Sequence, residues 1–227
     1  FGPNLKWRKE FCTKYKKRIF EKYRIKFVIL LRVEMCQNED TLKILKDAGC
    51  YRVSFGIESG DEALRKEVLD RKMTDKTIQK AFDNCHKNGL GTNALNIIGF
   101  PDETEEMIKM TIKLNRKLRV TNSAVNVFYP YKGTPLGDYC FDNDLVDIDK
   151  FNNFSNERRD STLKLTKEHH EMIMRYYNNW GSLVHHFFTY QGIRFRVFKI
   201  LKKLGIFKII RDVYRNQKRW LRPGPAS

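Results

Sequence analysis

Ala48-Gly49-Cys50-Tyr51-Arg52-Val53-Ser54-Phe55-Gly56-Ile57-Glu58-Ser59-Gly60 is the stretch on which the fold turns. Within it Val53, Phe55 and Ile57 are apolar, while Ser54, Gly56 and Glu58 between them are small or polar. A period of two belongs to a strand, whose successive side chains point to opposite faces. Residues 51–57 therefore predict a strand with Val53, Phe55 and Ile57 toward covering helices and Ser54, Gly56 and Glu58 toward an inner side. Polar groups gathered where such a strand ends suit the C-terminal face of a parallel α/β barrel, where ligands bind.

Working outward, residues 5–23 read as a basic helix with Trp7, Phe11, Tyr15 and Ile19 on one stripe. Residues 27–35 read as an apolar strand, and 40–48 as a helix stopped by Gly49. Downstream, a helix opens near Gly60 and Asp61. Another spans 74–88, with Ile78, Ala81, Phe82 and Cys85 inward, and ends at Gly89. Residues 91–98 and 123–129 are the remaining strands, and the acids after Pro101 suit a helix start. Four helix-fed strands look like part of a larger barrel. By parity Arg32 and Glu34 pair in the first strand, Thr92, Ala94 and Asn96 in the third, and Asn126 and Phe128 in the fourth. Arg32, Ser54, Glu58, Asn96 and Phe128 are thus expected to line one concave surface. Residues 138–165 are polar and read as a linker, and 166–227 as a helical region without strands.

The 227 residues carry 44 Lys plus Arg against 27 Asp plus Glu, a formal charge of +17 that favours an anionic partner. Nucleic acid, anionic lipid and a phosphorylated substrate all satisfy charge alone. Residues 190–222 hold eleven basic residues and one acid, Asp212. Ile193, Val197, Ile200, Leu201 and Leu204 fall on one stripe of that segment, which reads as a basic amphipathic helix over 193–220. It would either cover the barrel or lie peripherally on an anionic membrane, and the charge excess favours the membrane. Cys12, Cys36, Cys50, Cys85 and Cys140 never approach metal-ligand spacing and read as separate reduced thiols of a cytoplasmic protein. His169-His170 and His185-His186 lack the acids or thiolates that would complete a metal site. No signal peptide is visible in these residues, nor a spanning run of about 20 apolar residues, nor a glycine-rich phosphate loop. The chain starts at Phe1, not Met, so an upstream portion is expected.

Four ordered motifs carry a resemblance: the opening stretch; Val68-Leu69-Asp70-Arg71; Ile97-Ile98-Gly99-Phe100-Pro101-Asp102-Glu103-Thr104-Glu105-Glu106; and Phe128-Tyr129-Pro130-Tyr131-Lys132-Gly133-Thr134-Pro135-Leu136. Together they resemble the radical S-adenosylmethionine (SAM) superfamily over residues 1–137, in the style of members with an upstream cobalamin-binding domain. The resemblance implies an α/β fold, the C-terminal portion of a partial (β/α)6 barrel with about four parallel strands, followed by a helical region. It also implies SAM and a [4Fe-4S] cluster. The cluster's Cys-x3-Cys-x-x-Cys loop is absent from this chain, and strand 27–35 would be the family's third.

Carried over by position, Ser54 and Glu58 fall on the ribose and methionine contact region, and Arg71 on an arginine that meets the SAM carboxylate. Asn96 falls on the segment against which adenine packs, and Phe128 and Tyr129 on the stretch that holds its edge. Leu95 stands where some relatives place an acid. On residue chemistry alone, Glu58 also fits a turn acceptor, Arg71 a helix-end cap and Phe128 a core ring. The implied parent cleaves SAM reductively to a 5'-deoxyadenosyl radical and functionalises an unreactive carbon. Cobalamin-dependent methyl transfer or cyclisation on a small hydrophobic or lipid-like substrate fits, with flavodoxin or ferredoxin as electron donor. A tRNA methylthiotransferase is the runner-up, although nucleic acid is disfavoured because the C-terminus reads as helical. A non-catalytic basic binding module is the rival from another class.

Overall fold

Four strands, β1 (Phe27–Leu30), β2 (Cys50–Glu58), β3 (Gly91–Ile98) and β4 (Asn122–Val127), form one parallel sheet in the order β1-β2-β3-β4 in the computed structural model. The structure describes residues 5–153, 158–185 and 190–203. The chain divides into two units, Phe1–Val184 and His185–Ser227, and the sheet belongs to the first. Sequential strands lie side by side because helical crossovers return the chain to the same edge each time.

The helices follow the apolar periodicity. The basic helix runs as α1 (Leu5–Tyr15), a π turn (Lys16–Phe20) and α2 (Glu21–Tyr23), and ends at Arg24 in the left-handed region, φ 55°. Trp7, Phe11 and Tyr15, four residues apart, stack in a row at ring distances of 5.3 and 5.9 Å, and Tyr15 meets Phe27 of β1 at 4.8 Å. Then come α3 (Asp40–Asp47), α4 (Asp75–Lys87) and α5 (Glu105–Lys117). Thr74 and Thr104 cap the last two, their hydroxyls accepting from the amides of Thr77 and Met107.

The core lies between sheet and helices. Val53, Phe55 and Ile57 are fully buried there beside Leu42, Ile78 and Phe82, with the Phe55 and Phe82 rings 5.0 Å apart. Each such side chain stabilises the fold by roughly 1.5–3 kcal/mol. The parity read for β2 is the one observed.

That read for β3 is reversed. Thr92, Ala94, Asn96 and Ile98 are the buried series and face the helices, while Asn93, Leu95 and Ile97 take the concave side. The register requires it: Phe55 pairs with Ala94 and Gly56 with Leu95, and paired residues of a parallel sheet share a face. Asn96 can face the core because partners satisfy its amide there. Its Nδ2 donates to Ser123 Oγ at 3.1 Å and to the Ala124 carbonyl at 3.0 Å, and its Oδ1 accepts from Asn115 Nδ2 of α5 at 2.9 Å.

The first strand is shorter than read. It ends at Leu30, and Val33–Cys36 forms a 3-10 turn. Side chains around α4 absorb the carbonyls this turn frees: Asn84 Nδ2 donates to Cys36 O at 2.8 Å, and Gln37 Nε2 to Val33 O at 2.8 Å.

Residues 138–165, expected to be a linker, contain most of α6 (Pro135–Asp142), all of α7 (Ile148–Asn152) and an antiparallel bridge between Val146 and Leu163. Cys140, Val146 and Leu163 form a second apolar cluster with Leu64, Phe100 and Phe128. Helix α8 (Lys167–Val184) then packs along β4, where the Trp180 indole donates to Ser123 Oγ at 2.8 Å and Tyr176 Oη to Glu105 at 2.6 Å. In the second unit, α9 (Tyr190–Lys203) exposes Ile193, Val197 and Ile200. The remainder of the expected amphipathic segment, 204–220, lies outside the described residues. No helix among the described residues is long and apolar enough to cross a membrane.

Candidate functional site

At its C-terminal end β2 bulges. Gly56 pairs with Leu95 and Glu58 with the next residue, Asn96, leaving Ile57 unmatched. Glu58 itself sits in the left-handed region at φ 67°, a strained setting for a residue with a Cβ. The strain turns its side chain back over the strand. A Cβ on Gly56 would stand 2.4 Å from Glu58 Oε1, so only glycine leaves the carboxylate this place.

There Glu58 Oε1 accepts from Arg71 Nη2 at 3.0 Å. The carboxylate is largely buried and the guanidinium half-exposed. Burial raises the Glu58 pKa above the ordinary carboxylate value, and the Arg71 charge opposes that rise. The pair is therefore an uneven one: a carboxylate reluctant to stay charged unless a cation is near.

The loop that carries Arg71 is held from beneath by Arg65, which is fully buried. Its Nη1 donates to Ser59 O at 2.7 Å and its Nη2 to Asp75 Oδ1 at 2.5 Å, linking the β2 exit to the start of α4. The Arg71 amide donates to Arg65 O at 2.7 Å. Leu64–Val68 winds as a π turn, a form found often at functional sites. Gly60 donates to Thr111 Oγ1 at 2.7 Å, and a Cβ there would stand 2.4 Å from the Thr111 backbone. The β2 exit is thus fixed against α5 as well as α4.

Two cavities meet at this pair and share Glu58, Arg71 and Leu95. The first, about 440 Å³, opens beside Leu30, Arg32, Met35 and Met73. The second, about 590 Å³, is walled by Phe100, Phe128, Tyr129 and Tyr131, with Arg158 at its rim. Phe128 lies 5.2 Å from Phe100, and Tyr129 stacks on Phe151 at 5.2 Å. Arg158 Nε donates to Tyr131 Oη at 2.9 Å with its guanidinium over that ring. Both volumes are those of small-molecule sites.

Of the residues expected from sequence, Arg32 lines the first cavity, Glu58 and Arg71 both, and Phe128 and Tyr129 the second. Asn96 borders the second cavity, but its amide is engaged with Asn115 and Ser123. Ser54 lies on the concave face and lines neither cavity; its hydroxyl accepts from Asn93 Nδ2, whose Oδ1 accepts from Asn122 in a row across the sheet. Leu95, Tyr131, Met73 and Arg158 were not anticipated. Tyr131 carries a signal in the Phe128–Leu136 motif; Leu95 carries none of its own, since its facing follows from register with Gly56, and Arg158 has none, since it comes from a distant loop whose carbonyl accepts from Val127 N.

Glu103, read as part of a helix start, is instead fully buried beneath the site. It accepts from the Gly99 amide at 2.5 Å, while its Oε1 has no hydrogen-bond partner among the described residues. Burial pushes its pKa up to about 8, against the backbone hydrogen bonds that lower it.

All five cysteines are buried and free. Cys85 and Cys36, distant in sequence, share a hydrogen bond, which with burial raises the Cys85 thiol further. Among the described residues no three His, Cys, Asp or Glu side chains converge to hold a metal. They do not fit an iron-sulfur cluster, whereas the aromatic cavity and the Glu58–Arg71 pair fit a nucleoside bearing an amino acid.

The family model described as "Radical SAM superfamily" matches residues 3–114. An uncharacterized methyltransferase of Pyrococcus horikoshii is 37% identical over 109 residues, 48% of this chain and 24% of that protein. A biotin synthase of Clostridium botulinum is 35% identical over 97 residues, 43% of this chain and 30% of the relative. The matched stretch thus spans about a quarter to a third of these relatives' length. Among solved structures, coproporphyrinogen III oxidase from Escherichia coli superimposes with a TM-score of 0.55 at 16% identity, covering 79% of this chain and 38% of that one. The radical S-adenosylmethionine methyltransferase TsrM from Kitasatospora setae does so with 0.50 at 19% identity, over 60% of this chain and 26% of its own.

Proposed function

The chain belongs to the radical SAM superfamily through residues 3–114, and on that premise we propose that its sheet supplies the SAM-binding wall of a radical enzyme that modifies an unreactive carbon. The observation that carries this reading is the Glu58–Arg71 pair at the junction of two cavities. A carboxylate and a guanidinium side by side match the ammonium and carboxylate of an amino acid, the guanidinium pairing bidentately. Phe128 and Tyr129 offer aromatic faces on which a purine stacks. In the whole protein a [4Fe-4S] cluster together with SAM would supply the one-electron chemistry. This chain's residues would orient SAM and keep water from its reactive end; the ligands of the cluster are not among those described.

Binding of SAM to the full chain, read by saturation-transfer NMR, tests the assignment. Arg71→Ala and Glu58→Ala should each weaken binding by about tenfold or more, roughly the loss of one charge-assisted contact. Binding that both variants leave unchanged would remove the pair from the SAM site.

Two finer readings follow. Methyl transfer, with cobalamin as a second cofactor of the whole protein, is supported by the name of the Pyrococcus relative and the likeness to TsrM, and a hydrophobic substrate by the apolar lining of the first cavity. A flavodoxin or ferredoxin would supply the electron. The exposed row Ile193, Val197 and Ile200 on α9, a helix without acids, supports peripheral contact with an anionic membrane. Co-sedimentation should pellet the chain with anionic but not neutral vesicles, and equal pelleting would withdraw that contact.

A further inference from the structure

The first cavity differs in chemistry from the second, although the two share a wall. Its floor is apolar: Leu30 projects from the concave face of β1 with 59% of its surface exposed, and Met35, Met73 and Leu95 surround it. It holds no aromatic ring on which a base could stack. Its charges are unbalanced, with three cations, Arg32, Arg71 and Lys72, facing two carboxylates, Glu34 and Glu58. Arg32 Nε is held by Glu34 at 3.3 Å and Arg71 by Glu58 at 3.0 Å. Among the described residues Lys72 has only Asp70 at 3.9 Å, both side chains more than four-fifths exposed, a contact worth little.

Resting on the reading above, in which SAM occupies the aromatic cavity, we infer that the first cavity receives the second reactant, an amphipathic acid. Its apolar body would lie over Leu30 and Met73, and its single anionic group would meet Lys72 beside Arg32. A neutral hydrophobe would leave Lys72 to solvent and its loose contact with Asp70, and a cation would add to the positive charge of the lining. The shared wall at Glu58 and Arg71 brings the apolar body beside the SAM site, as a reaction between the two requires.

The experiment uses the full chain with octanoate, octanol and octylammonium as probes, titrated by NMR or calorimetry, with SAM binding measured separately. Octanoate should bind most tightly and octylammonium about tenfold or more weaker. Leu30→Asp, at an exposed position that carries no part of the core, should weaken octanoate by a similar factor and leave SAM affinity unchanged. Lys72→Glu should abolish the preference for octanoate over octanol. Equal binding of the three probes, tighter binding of octylammonium, or octanoate affinity unmoved by Leu30→Asp would overturn the inference. Octanoate selectivity without SAM binding would instead overturn the assignment of the SAM site and leave this cavity standing as an acid site.

Discussion

The two faces of the sheet are made from the same strands and do opposite things. The helix-facing side is closed: Val53, Phe55, Ile57, Ala94 and Ile98 have no accessible surface, and its polar members Thr92, Asn96 and Ser123 are tied to His86, Asn115 and Trp180. The concave side is open, with Val28, Leu30, Ala124 and Asn126 exposed and its charges gathered at the strand ends. One face thus holds the fold together and the other is available to ligands. Substitutions should separate along that line.

The largest effect is expected from Phe82→Ala. The ring is fully buried against Phe55, and its loss should destabilise the chain by about 3–5 kcal/mol in urea unfolding. A loss below about 1 kcal/mol would mean that the closed face is looser than its burial indicates.

The next test is pH. Burial raises the folded-state pKa of Glu103 from the ordinary carboxylate value to about 8, so between those values the folded protein binds a proton the unfolded chain has released. Stability from this group is therefore greatest at low pH and falls as pH rises through that window. Urea midpoints measured at pH 5 and pH 8 should drop, and drop less in Glu103→Gln; an equal drop in both would acquit Glu103.

Asn115→Ala removes a partner of buried Asn96 and should destabilise by about 1–3 kcal/mol, with SAM affinity little changed. A large loss of SAM binding at equal stability would show that the closed face steers the open one. Smallest of all, Leu30→Ser on the concave face should shift stability by no more than about 0.5 kcal/mol.

How far the sequence could be read follows the same division. The alternation Val53-Phe55-Ile57 gives β2 its correct faces because three large apolar residues on one parity leave little choice. Residues 91–98 have no such weighting: Thr92, Ala94 and Asn96 are small or polar, and the partners that let Asn96 be buried lie on α5 and β4. A local window contains none of them. The apolar run after Phe27 likewise conceals where β1 ends, since the side chains that stabilise the 3-10 turn come from Gln37 and Asn84. In the site, Glu58, Arg71, Phe128 and Tyr129 were legible through their ordered motifs. Arg158 was not, because a backbone hydrogen bond from Val127 and the Tyr131 hydroxyl, both distant in sequence, bring it to the cavity, and Lys72 was hidden as one of many surface lysines.

The left-handed backbone at Glu58 has a consequence for how this position tolerates mutation. Glycine there would relax the chain by about 1 kcal/mol but would remove the carboxylate that Arg71 meets. A library randomised at position 58 and sorted for folding alone should enrich glycine; the same library sorted for ligand capture should retain glutamate. The two populations would diverge at a single codon, and the extent of their divergence would measure how strongly selection for binding opposes selection for folding at that residue.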